Sequence, residues 1–172
     1  MPSSPPARAL VLMGVSGSGK TAVGTELSQR LGWPFLDADD FHPLANKEKM
    51  HRGEPLTDED RLPWLEILNA ELRQRLNAAQ SVILACSALK ESYRKILHQD
   101  LLNVIFVYLK VDRAVLERRL AERKGHFFPK SLLDSQLATL EDPHDAVVVD
   151  ENRQIPEVVA DIIQRLGLEP SP

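Results

Sequence analysis

The sequence predicts an α/β fold in which a five-stranded parallel sheet is flanked by helices. Five short apolar runs alternate along the chain with longer segments of helical period. The runs are apolar at consecutive positions, which is typical of strands buried on both faces of a sheet. A glycine-rich loop follows the first run and leads into a helix. Together these observations indicate a doubly covered parallel sheet.

The individual elements follow from the spacing of the apolar residues. The five predicted strands are residues 9–13, 33–37, 81–86, 103–109 and 146–150. The first helix is predicted from the four-residue spacing of Val23, Leu27 and Leu31. A later helix has its apolar face at Leu65, Leu68, Leu72 and Leu76. Residues 57–60, which read TDED, form a capping box that begins this later helix.

Length and composition fit one globular domain. The chain has 172 residues and a net charge of −4, so its overall charge does not favour nucleic acid or an anionic membrane. The apolar runs are too short for a membrane span, and the single cysteine, Cys86, is typical of a reducing compartment. We therefore expect a cytoplasmic protein with a disordered N-terminus at 1–8, one domain at 9–168 and a frayed tail at 169–172.

Residues 14–21, GVSGSGKT, have the spacing of a phosphate-binding loop between a strand and a helix. In such loops successive backbone N–H groups converge on phosphate oxygens at the positive end of the helix dipole. Lys20 is expected to reach the β- and γ-phosphates of a nucleoside triphosphate, and Thr21 Oγ to bind Mg²⁺. The residues predicted to bind the nucleotide here are Gly14, Val15, Ser16, Gly17, Ser18, Gly19, Lys20 and Thr21.

This loop alone leaves a kinase, a GTPase switch and an ATP-driven machine open. The nearest match to the guanine-reading pattern NKxD is NKEK at 46–49, which has no aspartate and comes too early. The run at 81–86 ends in Cys86 instead of the acidic residue of a Walker-B strand. Guanine switching is therefore disfavoured, and support for Mg²⁺ must come from elsewhere.

Two carboxylates follow the second predicted strand. Asp37 and Asp39 lie at the carboxyl end of this strand, the edge at which open α/β sheets bind ligands. With strand period they point to the same side. Asp37 is expected to hold magnesium-bound water and Asp39 to orient, or take a proton from, a substrate hydroxyl beside the γ-phosphate. His42 is either a substrate donor or a loop side chain.

Two stretches are longer and more charged than a simple crossover connection requires. The first runs over about 39–76, and the second, over 113–130, is basic. The arginines of the second stretch cannot all be buried, and Glu117 and Glu122 are their candidate partners. These arginines are Arg118, Arg119 and Arg123.

Five separated motifs occur in the order GVSGSGKT, DADDFHP, GEPLTDEDRLPWL, CSALK and RKGHFF. With them the sequence resembles the gluconate kinases of the gluconokinase family over about residues 9–166. The resemblance implies a P-loop kinase fold related to shikimate and adenylate kinases, with a substrate-binding insert at about 39–76 and a mobile lid at about 119–135. It also implies ATP-dependent phosphorylation of D-gluconate at its 6-hydroxyl, with Mg²⁺ as cofactor, and it suggests a homodimer.

Carried over by position, the resemblance assigns roles to single residues. The implied substrate-binding residues are Asp39, His42, Asn46, Lys49, Arg61, Lys90, Arg94 and His126. The lid would place Arg119 near the nucleotide base and Arg123 over the phosphates. Lys20, Asp39 and Arg123 are the expected catalytic residues of a direct in-line transfer, and Thr21 and Asp37 the expected metal ligands.

Two alternatives stay open. The first is a shikimate-type kinase, although such kinases usually have a glycine triplet where this chain has CSALK. The second is a non-catalytic nucleotide-dependent binding protein, in which the paired aspartates and the basic lid would have no function.

Overall fold

The structure, a computed structural model that describes residues 3–123 and 130–172, contains a parallel sheet covered by helices on both faces. Within these residues the sheet has five strands in the spatial order β2-β3-β1-β4-β5. The strands are β1 (Ala9–Met13), β2 (Phe35–Asp37), β3 (Val82–Ala85), β4 (Val104–Lys110) and β5 (Val147–Asp150). The predicted fold class is confirmed.

Helices fill the connections between the strands. They are α1 (Lys20–Leu31), α2 (Leu44–His51), α3 (Asp58–Asn77), α4 (Glu91–Leu97), α5 (Arg113–Ala121), α6 (Lys130–Thr139) and α7 (Ile155–Leu166), with a 3-10 helix at Ala38–Phe41. The predicted capping box is present at the start of α3, where the Thr57 side chain accepts from the Asp60 N–H and the Asp60 side chain accepts from the Thr57 N–H. No helix in the described ranges is long and apolar enough to cross a membrane.

The second strand is shorter than predicted. Trp33 and Pro34 precede it, because Pro34 has no N–H to donate to a ladder and only its carbonyl accepts, from Ile83 N at 3.0 Å. The other four strands match the predicted runs to within one residue at each end.

The central strand explains why the apolar runs are continuous. All five residues of β1 are fully buried, with alternate side chains in two separate cores. Val11 packs with the apolar faces of α3 and α4, whereas Leu10 packs with those of α1 and α7. A third cluster joins Val15, just after β1, to α5 and α6. The loop after β1 therefore packs through Val15 against α5 and α6.

The order of the strands creates a crevice at the carboxyl end of β1. The chain crosses to one side of β1 for β2 and β3, and to the other side for β4 and β5. Connections that leave in opposite directions open a crevice between the central strands. The loop at 14–19 lies there, and the carboxyl ends of β2 and β3 face it from one side.

Hydrogen bonds are present near both ends of the described chain. The Arg8 N–H donates to Ser81 Oγ, and Arg8 Nη1 donates to Leu166 O, both at 3.0 Å. Near the C-terminus Ser171 N donates to Arg30 O at 2.7 Å. These bonds anchor Arg8 and Ser171 to neighbouring elements. The disordered N-terminus at 1–8 and the frayed tail at 169–172 stay predictions.

Candidate active site

The phosphate-binding loop wraps around the ammonium group of Lys20. Lys20 Nζ donates to Gly14 O at 2.9 Å and to Val15 O at 3.1 Å. Desolvation lowers the pKa of Lys20, while the nearby thiol of Cys86 and the carboxylates of Asp39 and Asp37 oppose this shift. The loop thus carries a cation at its centre, beside backbone N–H groups at the start of α1.

A cavity of about 610 Å³ opens at this loop and brings the predicted transfer residues together. Its lining includes Lys20, Thr21, Asp37, Asp39 and Arg123. These side chains come from α1, the end of β2, the 3-10 helix and the residues after α5. The cavity therefore combines cations with carboxylates, as phosphoryl transfer to a hydroxyl requires.

The two aspartates line the cavity, but they do not lie on one strand as predicted. The strand ends at Asp37, and Asp39 lies in the 3-10 helix, so strand period does not relate them. Asp37 Oδ1 accepts from the Asp39 N–H at 2.9 Å, which turns the chain. The pKa of Asp39 is raised by desolvation and by the charge of Asp37.

The donor set at Thr21 and Asp37 fits a magnesium ion. Both residues line the same cavity as Lys20. A hydroxyl and a carboxylate are hard oxygen ligands, which Mg²⁺ prefers, usually together with water and phosphate oxygens. Thr21 and Asp37 would supply two ligands, and the phosphate oxygens of a nucleotide could supply others.

Arg119 is held between the phosphate-binding loop and the segment after β5. Its Nη1 donates to Gly17 O at 3.1 Å and pairs with the Glu151 carboxylate, and its Nη2 donates to Glu151 O at 3.1 Å. Glu151 is fully buried, and desolvation raises its pKa, which Arg119 opposes. Arg119, with Arg118, lines a second cavity of about 720 Å³ against Glu151 and the start of α7.

This pairing differs from the expected one. Glu117 pairs with Arg113 one turn away on α5, at 2.9 Å, and the partner of Arg119 comes from a segment 32 residues later. The sequence predicted that the arginines of this stretch pair with Glu117 and Glu122, which are close to them in the chain. Arg119 instead pairs with Glu151, which follows β5.

The first insert orders its polar residues around one histidine. His42 is buried and stacks on Trp64, with ring centroids 4.2 Å apart. Asn46 Nδ2 donates to Asp60 O at 2.9 Å and lies 3.3 Å from His42 Nδ1, so this arrangement puts the ring proton on Nε2. That atom is 3.9 Å from Asp39 Oδ1. Desolvation lowers the pKa of His42, and Arg61 lowers it further, which favours the neutral ring.

Arg61 and Lys90 meet at one tyrosine. Arg61 and Lys90 lie 5.6 and 5.5 Å from the centre of the Tyr93 ring. The Tyr93 hydroxyl donates to Asp58 Oδ1 at 2.5 Å, and Lys90 Nζ contacts both oxygens of Asp58 at 3.1 Å. The cluster ties the start of α3 to the loop after β3, and thus joins the insert to the sheet.

Comparison with known proteins identifies the family of this site. A family model described as an AAA domain matches residues 10–143. The gluconokinase of Gluconobacter oxydans is 49% identical over 160 residues, which cover 92% of this chain and 90% of that protein. A gluconokinase structure from Sinorhizobium meliloti matches with a TM-score of 0.81 and 42% identity, covering 95% of this chain and 94% of the other.

The chain belongs to the gluconokinase family. The resemblance inferred from the five motifs is thereby confirmed. A shikimate kinase from Aquifex aeolicus matches with a TM-score of 0.61 at 19% identity, which shows a shared fold alone. The shikimate-type alternative is therefore not favoured.

Arg94, which was predicted to bind the substrate, is engaged by backbone carbonyls of the protein. It is buried, and its guanidinium donates to the carbonyls of Ala88 at 2.7 Å, Leu89 at 3.2 Å and Glu141 at 3.1 Å. The guanidinium therefore braces the loop that carries Lys90, and a contact of Arg94 with the substrate stays a prediction. His126 lies outside the described residues.

No role in the site was predicted from the sequence for four residues that lie near it: Asp58, Tyr93, Gln136 and Glu151. Asp58 belonged to the predicted capping box and Tyr93 lies within a turn of Lys90, so helical spacing offered a signal for these two. Gln136 contacts the phosphate-binding loop from a distant segment, and Glu151 is linked to it through Arg119. Local pattern carries no signal for such contacts.

Replacing Gly19 by alanine is expected to weaken both nucleotide binding and folding. Gly19 has a φ of 88°, and an added Cβ would lie 2.6 Å from Glu151 Oε1. Gly53→Ala is the matched control, because Gly53 has a φ of 75° but nothing within 4 Å of the added Cβ. Gly53→Ala should cost about 1–2 kcal/mol of unfolding free energy and leave affinity for an ATP analogue unchanged.

Urea unfolding and analogue titration measure both quantities. Gly19→Ala should lose more stability than Gly53→Ala and at least about tenfold in affinity, since an oxyanion-binding loop depends on the placement of its N–H groups. Equal losses of stability and unchanged affinity in both variants would contradict the contact with Glu151.

Acid is expected to weaken the start of α3 through Asp60. A hydrogen bond from Lys49 at 2.6 Å, and then one from the Thr57 backbone, lowers the pKa of Asp60 from 3.8 to about 2. A lowered pKa stabilises the fold above the ordinary value, and this contribution disappears as the pH falls towards 2. The stability lost by Asp60→Asn should therefore be largest near neutrality and shrink below pH 4.

Urea unfolding of both proteins at several pH values tests this. Glu59→Gln, an exposed carboxylate on the same turn, is the matched control. A difference between wild type and Asp60→Asn that stays constant from about pH 6 to pH 2.5 would contradict the role of the Lys49 contact.

Proposed function

We propose that this protein transfers the γ-phosphoryl group of ATP to the 6-hydroxyl of D-gluconate, giving 6-phosphogluconate and ADP. The observation that carries the proposal is the cavity in which Lys20 and Arg123 face Asp37 and Asp39. Cations beside a phosphate-binding loop stabilise a transferred phosphoryl group, and a carboxylate opposite them can orient an incoming hydroxyl. Family membership supports gluconate as the acceptor.

In a direct in-line transfer, each group of the site has a separate role. The loop N–H groups and Lys20 bind the phosphate oxygens, and Arg123 adds positive charge where it develops in the transition state. Asp39 orients the hydroxyl and takes its proton as the new bond to phosphorus forms. Thr21 and Asp37 would hold Mg²⁺, which supplies charge neutralisation of the β- and γ-phosphates when bound. Arg119 lines the second cavity, on the side proposed for the base.

The acceptor side is proposed to run from the 3-10 helix to the loop after β3. The groups assigned to gluconate are Asp39, His42, Asn46, Lys49, Arg61 and Lys90, and His126 stays a prediction. Cations at Arg61 and Lys90 suit the carboxylate of a sugar acid. Arg94 supports Lys90 through the loop carbonyls. A mobile lid, a homodimer and a cytoplasmic location also stay predictions.

A coupled ADP-release assay over a panel of acceptors tests the function. The panel contains gluconate, other aldonates, shikimate and a blank with ATP and Mg²⁺ alone. Turnover with gluconate well above the blank is expected, and ³¹P NMR of the product should show a phosphate ester at the 6-position. Turnover with shikimate but not gluconate would overturn the choice of acceptor. Nucleotide binding without turnover on any member would favour a binding protein.

A further inference from the structure

One side chain from α6 occupies the mouth of the phosphate-binding loop. Gln136 Oε1 accepts from the Ser16 backbone N–H at 2.7 Å, and Gln136 Nε2 donates to Ser16 Oγ at 3.1 Å. The two residues are 120 positions apart in the chain. Gln136 lines the same cavity as Lys20, Asp39 and Arg123. Both polar ends of its carboxamide are thus engaged by a single loop residue inside the transfer site.

The bond to the Ser16 N–H locates this carboxamide relative to a phosphate. N–H groups of a phosphate-binding loop point towards phosphate oxygens, and an oxygen that accepts from one of them stands where a phosphate oxygen would accept. Gln136 Oε1 holds that position for Ser16. A phosphoryl oxygen that takes over the Ser16 N–H would therefore come within hydrogen-bonding reach of the same carboxamide, which still has Nε2–H groups to donate.

We propose that Gln136 is a further catalytic residue, which exchanges its hydrogen bonds to Ser16 for a hydrogen bond from Nε2 to the γ-phosphoryl group of ATP. This inference rests on the proposed kinase activity but not on the identity of the acceptor. Because Gln136 lies on α6, immediately after the predicted lid segment, its contact also links this helix to the occupied loop. A neutral donor at this place stabilises phosphoryl charge in addition to Lys20 and Arg123.

Two substitutions separate contact with the phosphoryl group from mere positioning of Ser16. Gln136→Glu keeps the length of the side chain and an acceptor for the Ser16 N–H, and Ser16 Oγ can donate to the new carboxylate. It places negative charge beside the phosphoryl oxygens, however. Gln136→Met keeps the length and the packing of α6 but removes both hydrogen bonds. Ser135→Ala, an exposed position on the same helix, is the matched control.

The readouts are kcat and the affinities for ADP and for a non-hydrolysable ATP analogue, titrated without any acceptor. Gln136→Glu should lower kcat on the order of 100-fold and weaken the analogue about tenfold, with ADP affinity within twofold of wild type, because ADP lacks the γ-phosphate. Gln136→Met should lower kcat about tenfold. Ser135→Ala should match wild type in all three.

Two results would overturn the proposal. If Gln136→Glu turns over faster than Gln136→Met, the residue only positions Ser16. If either variant weakens ADP and the analogue equally, with thermal unfolding unchanged, the contact shapes the loop and does not reach the γ-phosphoryl group. A wrong choice of acceptor would leave the binding titrations intact, so the two failures are distinguishable.

Discussion

Replacing Lys20 by alanine is expected to lower kcat/KM for ATP on the order of 10³-fold, the loss typical of removing a charge-stabilising donor from a transfer site. The ammonium group is desolvated, donates to two loop carbonyls and lines the cavity together with the carboxylates. Its removal takes away both the positive charge at the γ-phosphate and the bonds that close the loop. Steady-state ADP release with varied ATP measures the effect.

The control for this substitution is Lys95→Ala. Lys95 is an exposed cation on α4, paired with Glu91 at 3.5 Å and away from the cavity. Its loss should leave kcat/KM within about twofold, as for most exposed ion pairs. A Lys20→Ala protein that is folded by circular dichroism and keeps near wild-type turnover would contradict the phosphate-binding role of the loop.

Replacing Asp39 by asparagine is expected to lower kcat by about 10²- to 10⁴-fold, the range typical of a lost general base. The change keeps the shape of the side chain and removes its ability to take a proton. The bond from the Asp39 N–H to Asp37 should persist because it uses the backbone. Affinity for the ATP analogue should change less than about threefold, since the assigned role concerns the acceptor hydroxyl.

Asp40→Asn is the matched control for Asp39. Asp40 is the next residue of the same 3-10 helix, it is exposed, and it is not among the residues that line the cavity. Normal kcat is expected for this control. If Asp39→Asn raises KM for gluconate and leaves kcat unchanged, Asp39 binds the acceptor without serving the proton transfer.

The strands and the phosphate-binding loop could be predicted because the residues that specify each of them are neighbours in the sequence. Consecutive apolar residues at 9–13 and 104–109 indicate strands buried on both faces, and the spacing from Gly14 to Thr21 specifies a turn into a helix. The capping box at Thr57 is equally local. In contrast, the 3-10 helix that carries Asp39 was missed, because the Asp37 side chain turns the chain by accepting a backbone N–H.

The contacts of the charged residues were harder to predict than the burial of the apolar ones. Arg94 and Arg119 were predicted to meet ligands, but the sequence did not indicate that Arg94 also binds carbonyls and Arg119 a buried carboxylate. A charged side chain can reach several directions, and burial forces it to find whichever partner the fold presents. Its partner thus depends on the packing of distant segments.

By itself the sequence determined the parallel sheet, the loop that cradles phosphates and the pair of aspartates beside it, since periodic burial and turn chemistry act over a few neighbouring residues. Only the tertiary structure decided that Glu151 holds Arg119, that Gln136 binds Ser16, and that Tyr93 joins Arg61 to Lys90. These contacts form because the crossover connections bring remote segments to one edge of the sheet, where buried polar groups must satisfy one another.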